Sequence, residues 1–248
     1  MFKQMIIGSG FLIACASTSA DTVLGVDAGI GQWQSDYSGE VGSVSASLDD
    51  LNLTEENNNH FFVALEHPIP LLPNILVQKL SLDTSAASTL DSEFVFDDIA
   101  FPSGTAVVTQ LDLSHTDAVL YYEVLDNWIS LDLGLNLRMF DGSASISASE
   151  TNLTEHVELD AVVPMAYGKA QFELPLTGWS VLAAANVVAY DDNEISDYSA
   201  AVSYRSDMLV VFDLGIEVGY RSMSLQLEED LNTDIELEGP YASLTVHF

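Results

Sequence analysis

The chain has 248 residues and a formal charge of −32, from 38 acidic and 6 basic residues, yet 48% of its residues are hydrophobic. Acidic disordered segments are poor in apolar residues, so this composition excludes that class. It also excludes a nucleic-acid binder, which needs a basic face to neutralise phosphates.

The N-terminal segment has the three parts of a secretory signal peptide. Lys3 is basic, residues 6–16 are an apolar run, and residues 18–20 are small. This order is typical of export signals, and the apolar run is about half of the ~20 residues that a membrane-spanning helix needs. The sequence therefore predicts a signal peptide over 1–20 and a mature domain over 21–248.

The single cysteine, Cys15, falls inside this segment. Cleavage after Ala20 would leave the mature chain without thiols, and so without disulfides or cysteine-bound metals. An alternative remains, because Leu12-Ile13-Ala14-Cys15 is similar to a bacterial lipobox, in which Cys15 would be lipidated.

The rest of the chain alternates between apolar and polar residues. From 129 to 139 every odd position is apolar and nearly every even position is small or polar, and the segments 24–31, 198–205 and 212–221 repeat the pattern. A period of two places alternate side chains on opposite faces of a β-strand.

Soluble β-sandwiches also alternate, but three features favour a membrane barrel. One face is uniformly apolar while the other is small or charged, and the strands reach the ~9–11 residues that cross a bilayer at a tilt. The chain also ends in an alternating strand that resembles the signal read by the outer-membrane barrel assembly machinery, carried by Tyr241, Leu244, Val246 and Phe248. Strands in lipid satisfy their backbone groups only in a closed barrel. The predicted fold is all-β: a closed antiparallel up-and-down transmembrane β-barrel in the cell outer membrane.

Short connectors give the strand count. Four are recognisable, at 67–74, 125–128, 174–178 and 206–207, and the prolines in the first and third of them cannot donate to a strand ladder. Four turns and two chain ends on the periplasmic side imply ten strands; eight is the alternative, if the 59–83 hairpin does not form. The predicted strands are 22–34, 59–67, 74–83, 107–125, 128–142, 156–174, 179–190, 195–206, 208–227 and 234–248.

The remaining segments are predicted outer loops, at 35–58, 84–106, 143–155, 191–194 and 228–233. Residues 94–96 and 99–101 are expected to form a small hairpin inside the second loop. Within the sixth strand the apolar face changes parity near Pro164, which predicts a β-bulge there, and a similar slip is expected between Leu113 and Ala118.

Four segments resemble a gram-negative family of outer membrane β-barrel proteins of about this length and of uncharacterised function. They are His67-Pro68-Ile69-Pro70-Leu71-Leu72-Pro73-Asn74, Asp112-Leu113-Ser114-His115-Thr116-Asp117, Leu125-Asp126-Asn127-Trp128 and Gly239-Pro240-Tyr241-Ala242. The resemblance implies an outer membrane barrel and no particular activity. Lys79 departs from it, because a lipid-facing residue is expected there.

Strand parity places a set of charged residues in the lumen. A charge in a narrow barrel is costly unless it is paired, so an ion-pair network is expected. Its members are Asp27, Asp132, Arg138, Lys169, Glu173, Arg205, Asp213, Glu217 and Arg221, with Glu66 and Glu123 as further candidates. Two interpretations follow: a plug with a structural role, or a narrow passage that prefers cations.

The predicted loops are acidic. A solvated, repelling surface is the simpler interpretation, and divalent cation capture, including bridging to lipopolysaccharide phosphates, is the functional one. No resident cofactor is expected, and the weak metal candidates are Asp97, Asp98, Asp191, Asp192 and Glu194.

Two further sets of residues carry hypotheses. His115 and Asp117, two apart in one strand, could form a catalytic pair of a rim-site hydrolase, but phosphate-binding, zinc-protease and nucleophile-elbow motifs are missing from the sequence, so a non-enzymatic role is favoured. Interface girdles are expected from Trp33, Tyr122, Trp128, Trp179, Tyr204 and Tyr220. The predicted roles are, in order, a structural or surface-interaction barrel, a cation-preferring channel or solute uptake barrel, and a hydrolase.

Overall fold

The computed structural model describes residues 24–97, 99–148, 150, 153–206, 212–227 and 232–248. The predicted signal peptide with Cys15, the metal candidate Asp98, the turn residue Asp207 and the acidic residues 228–230 lie outside these ranges. In the described residues no helix is long and apolar enough to cross a membrane.

Regular structure in the described ranges consists of fifteen β-strands. They are β1 (Gly25–Val41), β2 (Ala46–Ser47), β3 (Glu55–Glu66), β4 (Asn74–Leu80), β5 (Asp83–Thr89), β6 (Phe94–Phe96), β7 (Ile99–Phe101), β8 (Ala106–Asp112), β9 (His115–Asp126), β10 (Ile129–Ala148), β11 (Leu153–Glu173), β12 (Trp179–Tyr190), β13 (Asn193–Ser206), β14 (Asp213–Leu227) and β15 (Thr233–His247).

Ten of these strands, counted over the described residues, close into an antiparallel up-and-down barrel. The order around the wall is β1, β3, β4, β9, β10, β11, β12, β13, β14 and β15, and β15 pairs back onto β1 from Asp27↔His247 to Val41↔Thr233. The predicted fold class and strand number are therefore confirmed. The eight-strand alternative is wrong because β3 and β4 pair, from His60↔Leu80 to Leu65↔Ile75.

The two ends of the barrel differ. The lower end holds the start of β1, the end of β15 and the connectors after β3, β9, β11 and β13. The upper end holds the longer loops. Several strands extend further toward the upper end than the sequence predicts. β1 continues to Val41 and β3 begins at Glu55, so the first upper loop is 42–54 rather than 35–58.

The second upper loop extends the wall and then packs against the first loop. β5 and β8 pair with each other, and β8 also pairs with the upper part of β10. The hairpin expected at 94–101 forms as β6 and β7, and Val95 bridges to Val44 of the first loop. Both loops insert apolar side chains into one core with the inward faces of the long strands; the loop members include Leu48, Leu51, Leu53, Leu90, Phe94, Phe96 and Phe101.

The bulge expected at Pro164 is wrong. The β10–β11 register runs unbroken from Ile129↔Phe172 to Ala148↔Leu153. Odd-numbered residues of β11 face inward along the whole strand, and Val157 and Leu159 are apolar because the upper interior is apolar. The apolar face thus changes from the outside to the inside of the wall without any backbone shift.

The slip expected between Leu113 and Ala118 is also wrong. β8 and β9 keep one register against β10, with Ser143↔Asp112 and Phe140↔His115, although residues 113 and 114 leave the ladder between them. The register shift lies lower, between Leu131 and Asp132. Lys79 lies on the outer face of β4, opposite Phe61 and Thr116.

Candidate functional site: a buried ion-pair cluster across the barrel

Four charged side chains meet in the middle of the barrel interior. Arg138 donates from Nε to Asp117 Oδ1 at 2.8 Å and from Nη2 to Asp117 Oδ2 at 2.8 Å, and its Nη2 also reaches Asp197 Oδ2 at 2.6 Å. Arg221 binds the same Asp197, from Nε at 2.8 Å and from Nη2 at 2.6 Å. The order Asp117–Arg138–Asp197–Arg221 alternates in sign. We call these four residues the central cluster.

Strand pairing explains how the central cluster forms. Arg138 on β10 and Asp117 on β9 are direct cross-strand partners on the inward face. Asp197 on β13 and Arg221 on β14 come from the other side of the barrel. Planar guanidinium groups bind a carboxylate through two parallel hydrogen bonds, which fixes the geometry of both contacts.

Neighbouring side chains complete the cluster. Gln78 donates from Nε2 to Asp117 Oδ2 at 2.9 Å. The Arg221 guanidinium lies 5.2 Å from the centre of the Trp33 ring, a cation–π distance, and Trp33 Nε1 donates to the Gly239 carbonyl at 3.1 Å. Each buried carboxylate therefore has at least three donors, as a charge out of water requires.

The central cluster closes the interior at its level. Trp33, Asp117 and Arg138 are all 0% exposed, and Asp197 is 3% exposed. Asn136, Val119, Met165 and Met223, which also face inward, are equally buried. Inward side chains from opposite sides of the wall therefore meet at this level of the described residues, and the Arg221 side chain keeps 13% of its surface exposed.

Below the central cluster the interior is polar. Asp132 and Lys169 are cross-strand partners on the inner face, and Asn136 donates to Asn186 at 3.0 Å. Phenolic hydroxyls bind two inward carboxylates: Tyr121 donates to Glu66 at 3.0 Å, and Tyr241 donates to Glu217 at 2.7 Å.

A second ion pair lies at the lower mouth. Arg205 contacts Asp27 at 3.2 Å, and the His247 ring lies 3.0 Å from the same carboxylate. The Arg205 side chain is 44% exposed, so this pair is open to solvent. Glu173 at the end of β11 is exposed and Asp213 at the start of β14 is partly buried; both lie at this end, away from the central cluster.

The nine residues assigned to a lumen network thus separate into groups. Arg138 and Arg221 belong to the central cluster, Asp27 and Arg205 to the lower mouth, and Asp132, Lys169 and Glu217 to the polar layer between. The assignment missed both carboxylates of the cluster, Asp117 and Asp197. Strand parity could have found Asp197, which shares its face with Ser199 and Arg205.

The girdle and assembly residues lie on different faces. Trp33 was expected at an interface, but it is buried inside the barrel because odd positions of β1 face inward. The other girdle candidates are exposed on the outer wall. Trp128 makes an edge-to-face contact with Phe172, and Trp179 makes a tilted ring contact with Tyr204. In β15, Leu244 and Val246 face outward and the terminal Phe248 is exposed, whereas Tyr241 faces inward.

His115 lies inside the wall rather than at a solvent-exposed rim. It is 1% exposed, and its Nδ1 lies 2.9 Å from the Leu113 carbonyl. Asp117, its proposed partner, is bound on both oxygens by Arg138. The pair is therefore not placed to activate water or a nucleophile.

The described residues contain one group of side chains with metal-ligating geometry. Its three ligand atoms come from His115, Asp117 and Asp197 and lie within 4.8 Å of one another. The Arg138 guanidinium binds both of these carboxylates, so a second cation does not fit between them. The loop candidates Asp97, Asp191, Asp192 and Glu194 are exposed and do not form such a group.

Comparisons with known proteins give fold-level similarity. No protein-family model matches the sequence, and a search of curated proteins finds no match. Among solved structures, the outer membrane protease OmpT from Escherichia coli has 12% identity and a TM-score of 0.37, with 90% of this chain and 94% of that chain covered. The CymD monoaromatic hydrocarbon channel has 9% identity and a TM-score of 0.34, with 90% of this chain and 87% of that chain covered. A Pseudomonas aeruginosa FadL homologue has 9% identity and a TM-score of 0.33, with 91% of this chain and 90% of that chain covered. Such scores carry no functional argument. Within the described residues, the strand pairing and the central cluster define a closed ten-stranded barrel with a buried ion-pair cluster across its interior.

Proposed function

We propose that this protein is an integral barrel of the gram-negative outer membrane that is sealed against ions and acts at the cell surface without an enzymatic role. The outer wall supports membrane insertion. On β10, outward side chains from Ile129 to Met139 are apolar, and Leu133 and Leu135 are about half exposed. Neighbouring strands continue this apolar belt, which a soluble protein would have to cover.

The single observation that carries the sealed barrel is the central cluster. A cation-preferring channel needs an aqueous path lined by charges. Here the charges neutralise one another, and Arg138 and Asp117 are fully buried between strands from opposite sides of the wall.

The outer wall above the apolar belt supports a surface role. Acidic residues face outward there on several strands, and together we call them the acidic collar: Asp36, Glu40, Glu55, Asp141, Glu158, Asp160, Asp234, Glu236 and Glu238. We propose that this collar meets the lipopolysaccharide headgroups through divalent cations. The proposal also assigns export to the segment 1–20 and insertion to the barrel assembly machinery.

Tryptophan quenching tests the insertion. Single-tryptophan variants are refolded into vesicles that contain lipids brominated near the glycerol end of the acyl chains. Trp128 and Trp179 are 56% and 47% exposed on the outer wall, so their fluorescence should fall strongly. Trp33, enclosed in the barrel, is the internal control and should be quenched several-fold less. Equal quenching of all three, or none, would contradict the proposed placement.

Conductance tests the seal. Bromolipid quenching first proves insertion of the refolded protein. The same preparation is then reconstituted into planar bilayers. Because the central cluster fills the cross-section, we expect no discrete current steps at any voltage. Reproducible cation-selective steps would overturn the sealed barrel and support a channel.

A further inference from the structure

The upper half of the barrel encloses an apolar cavity of about 280 Å³. Its walls come from the inward faces of the long strands and from the first and second loops; they include Leu53, Phe96, Leu111, Phe140, Leu159 and Leu225. Protein cores hold few voids larger than a water molecule, so a space of this size in a packed interior is unusual. We call it the chamber.

The floor of the chamber is next to the central cluster. Phe140, which lines the chamber, is the next inward-facing residue above Arg138 on β10. The cluster seals the chamber from below, and the apolar loop residues Leu48 and Leu51 bound it on the loop side. Access along the barrel axis is thus blocked from the lower end.

The wall beside the chamber is incomplete. β11 pairs with β12 from Glu173↔Ser180 only as far as Ala166↔Val187, whereas it pairs with β10 up to Leu153. Among the described residues, the part of β11 from Leu153 to Met165 has no ladder partner on the β12 side, although β12 itself continues to Tyr190 before it turns into β13.

The same free part of β11 lines the chamber. Val157, Leu159, Ala161 and Val163 face inward and are among the lining residues. None of the four is classed with the buried core: Ala161 is exposed, and the other three are partly exposed. The chamber therefore opens sideways, between β11 and the β12–β13 hairpin.

The height of this opening matches the edge of the apolar belt. The last β11–β12 pair is at Ala166, the outward-facing Val162 above it is 62% exposed, and the next outward residue is Asp160. The opening thus begins where the wall changes from apolar to acidic.

One polar group in the chamber has no partner. Thr109 lines the chamber and is 8% exposed, and in the described residues its hydroxyl makes no hydrogen bond. A buried hydroxyl without a partner costs free energy. Rotation of the Thr109 side chain about its Cα–Cβ bond would turn the hydroxyl toward the chamber, where a hydrogen bond to a ligand would recover this cost.

We propose that the chamber is a binding site for a small, uncharged, mainly apolar molecule with one hydrogen-bonding group, which enters sideways from the outer leaflet. An engineered apolar cavity of about 150 Å³ binds benzene, so this chamber suits a molecule of about a dozen non-hydrogen atoms. The chamber's lining excludes ionic ligands because a charge there would lack a partner. The inference rests on the proposed insertion in the outer membrane.

Two probes of nearly equal size test the site. 2-Naphthol and naphthalene are titrated, by their own fluorescence, against the refolded barrel in lipid nanodiscs, with empty nanodiscs as background. We expect saturable binding of one probe per barrel, with 2-naphthol bound several-fold more tightly. The Thr109→Val variant should lose about five-fold in affinity for 2-naphthol and leave naphthalene unchanged.

Filling the chamber supplies a second variant. Ala161→Phe places a ring in the chamber and should reduce binding of both probes at least ten-fold. Ala183→Phe makes the same change on the lipid-facing side of β12 and should bind both probes like the unmodified barrel. If Ala161→Phe does not fold, the Thr109→Val comparison still decides.

The route has its own test. In a Pro164→Cys/Ala189→Cys variant, a short bis-maleimide joined across the opening should slow 2-naphthol association several-fold. An unchanged rate overturns sideways entry. Bromolipid quenching first proves that the sample is inserted. Non-saturable binding in such a sample overturns the chamber site and leaves the proposed sealed barrel intact. Failed insertion instead overturns the proposed function.

Discussion

At the scale of single residues, the central cluster determines how the barrel interior is held. Arg138 is fully buried and makes three contacts of 2.6–2.8 Å to two carboxylates. Burying three charges costs several kcal/mol per ion, which their mutual attraction offsets only while every partner is present. The exposed pair Arg205–Asp27 at the lower mouth has no such dependence, because water solvates both ions.

Arg138→Leu should therefore destabilise the barrel by about 3–5 kcal/mol, since Asp117 would remain buried with Gln78 as its donor. Adding Asp117→Asn should recover part of this loss. The matched control, Arg205→Leu, should cost about 0–1 kcal/mol. Urea unfolding of the refolded barrel in vesicles, followed by tryptophan emission, measures all three free energies. Equal losses for Arg138→Leu and Arg205→Leu would contradict a buried, mutually dependent cluster.

At the scale of elements, β11 is a strand with two different halves. Its lower half is paired on both sides, and its upper half on the β10 side alone. An unpaired strand edge can template pairing with another chain, and natural proteins protect such edges with proline and charge. Pro164 lies just beyond the last β11–β12 pair, and Asp160 and Glu158 lie above it on the outer face of β11.

Cysteine pairs test where the β11–β12 wall ends. Ala166→Cys/Val187→Cys, in a Cys15→Ser background, replaces two directly paired residues, and we expect it to form a disulfide because antiparallel partners lie about 4.5–5.5 Å apart. Pro164→Cys/Ala189→Cys continues the same register two residues beyond the last pair and should stay reduced. Mobility of the unboiled, non-reduced barrel on a gel, with thiol labelling, measures both. Equal disulfide formation would mean that the wall continues.

At the scale of the whole molecule, polarity changes sides at one height of the wall. Below it the outside is apolar and the inside polar; above it the outside carries the acidic collar and the inside holds the apolar core and chamber. The upper part thus has an apolar interior and an acidic exterior, on top of a barrel whose outer wall is apolar. This arrangement reconciles a charge of −32 with 48% hydrophobic residues, because the two sets occupy different surfaces.

The like charges of the acidic collar repel one another. Salt limits the range of this repulsion to about 10 Å at 0.1 M and 3 Å at 1 M. We therefore expect the free energy of unfolding to rise between 0.01 M and 1 M NaCl. The variant Glu158→Gln/Asp160→Asn/Glu236→Gln/Glu238→Gln should be more stable at 0.01 M, by roughly 1 kcal/mol, and should respond less to salt. Urea titrations at each salt concentration compare the two proteins. An identical salt response would mean that the collar does not limit stability.

Local sequence determined the strands and their number. Alternation over 129–139 is a property of each residue separately and makes one face of the strand uniformly apolar. The proline-rich connector at 67–74 ends two strands wherever they pack. The hairpin at 94–101 was predictable for the same reason, because its pairing is short-range.

The tertiary structure alone decided what lies inside the barrel. The β9–β10 hairpin already pairs Asp117 with Arg138, but only closure of the wall brings Asp197, from β13, within 2.6 Å of Arg138. The sequence around Pro164 also predicted the wrong face, because period two identifies two faces of a strand but not which of them lies on the outside of the wall. That choice depends on the apolar loop residues Leu51 and Phe96, which come from distant segments to create an apolar interior above the cluster.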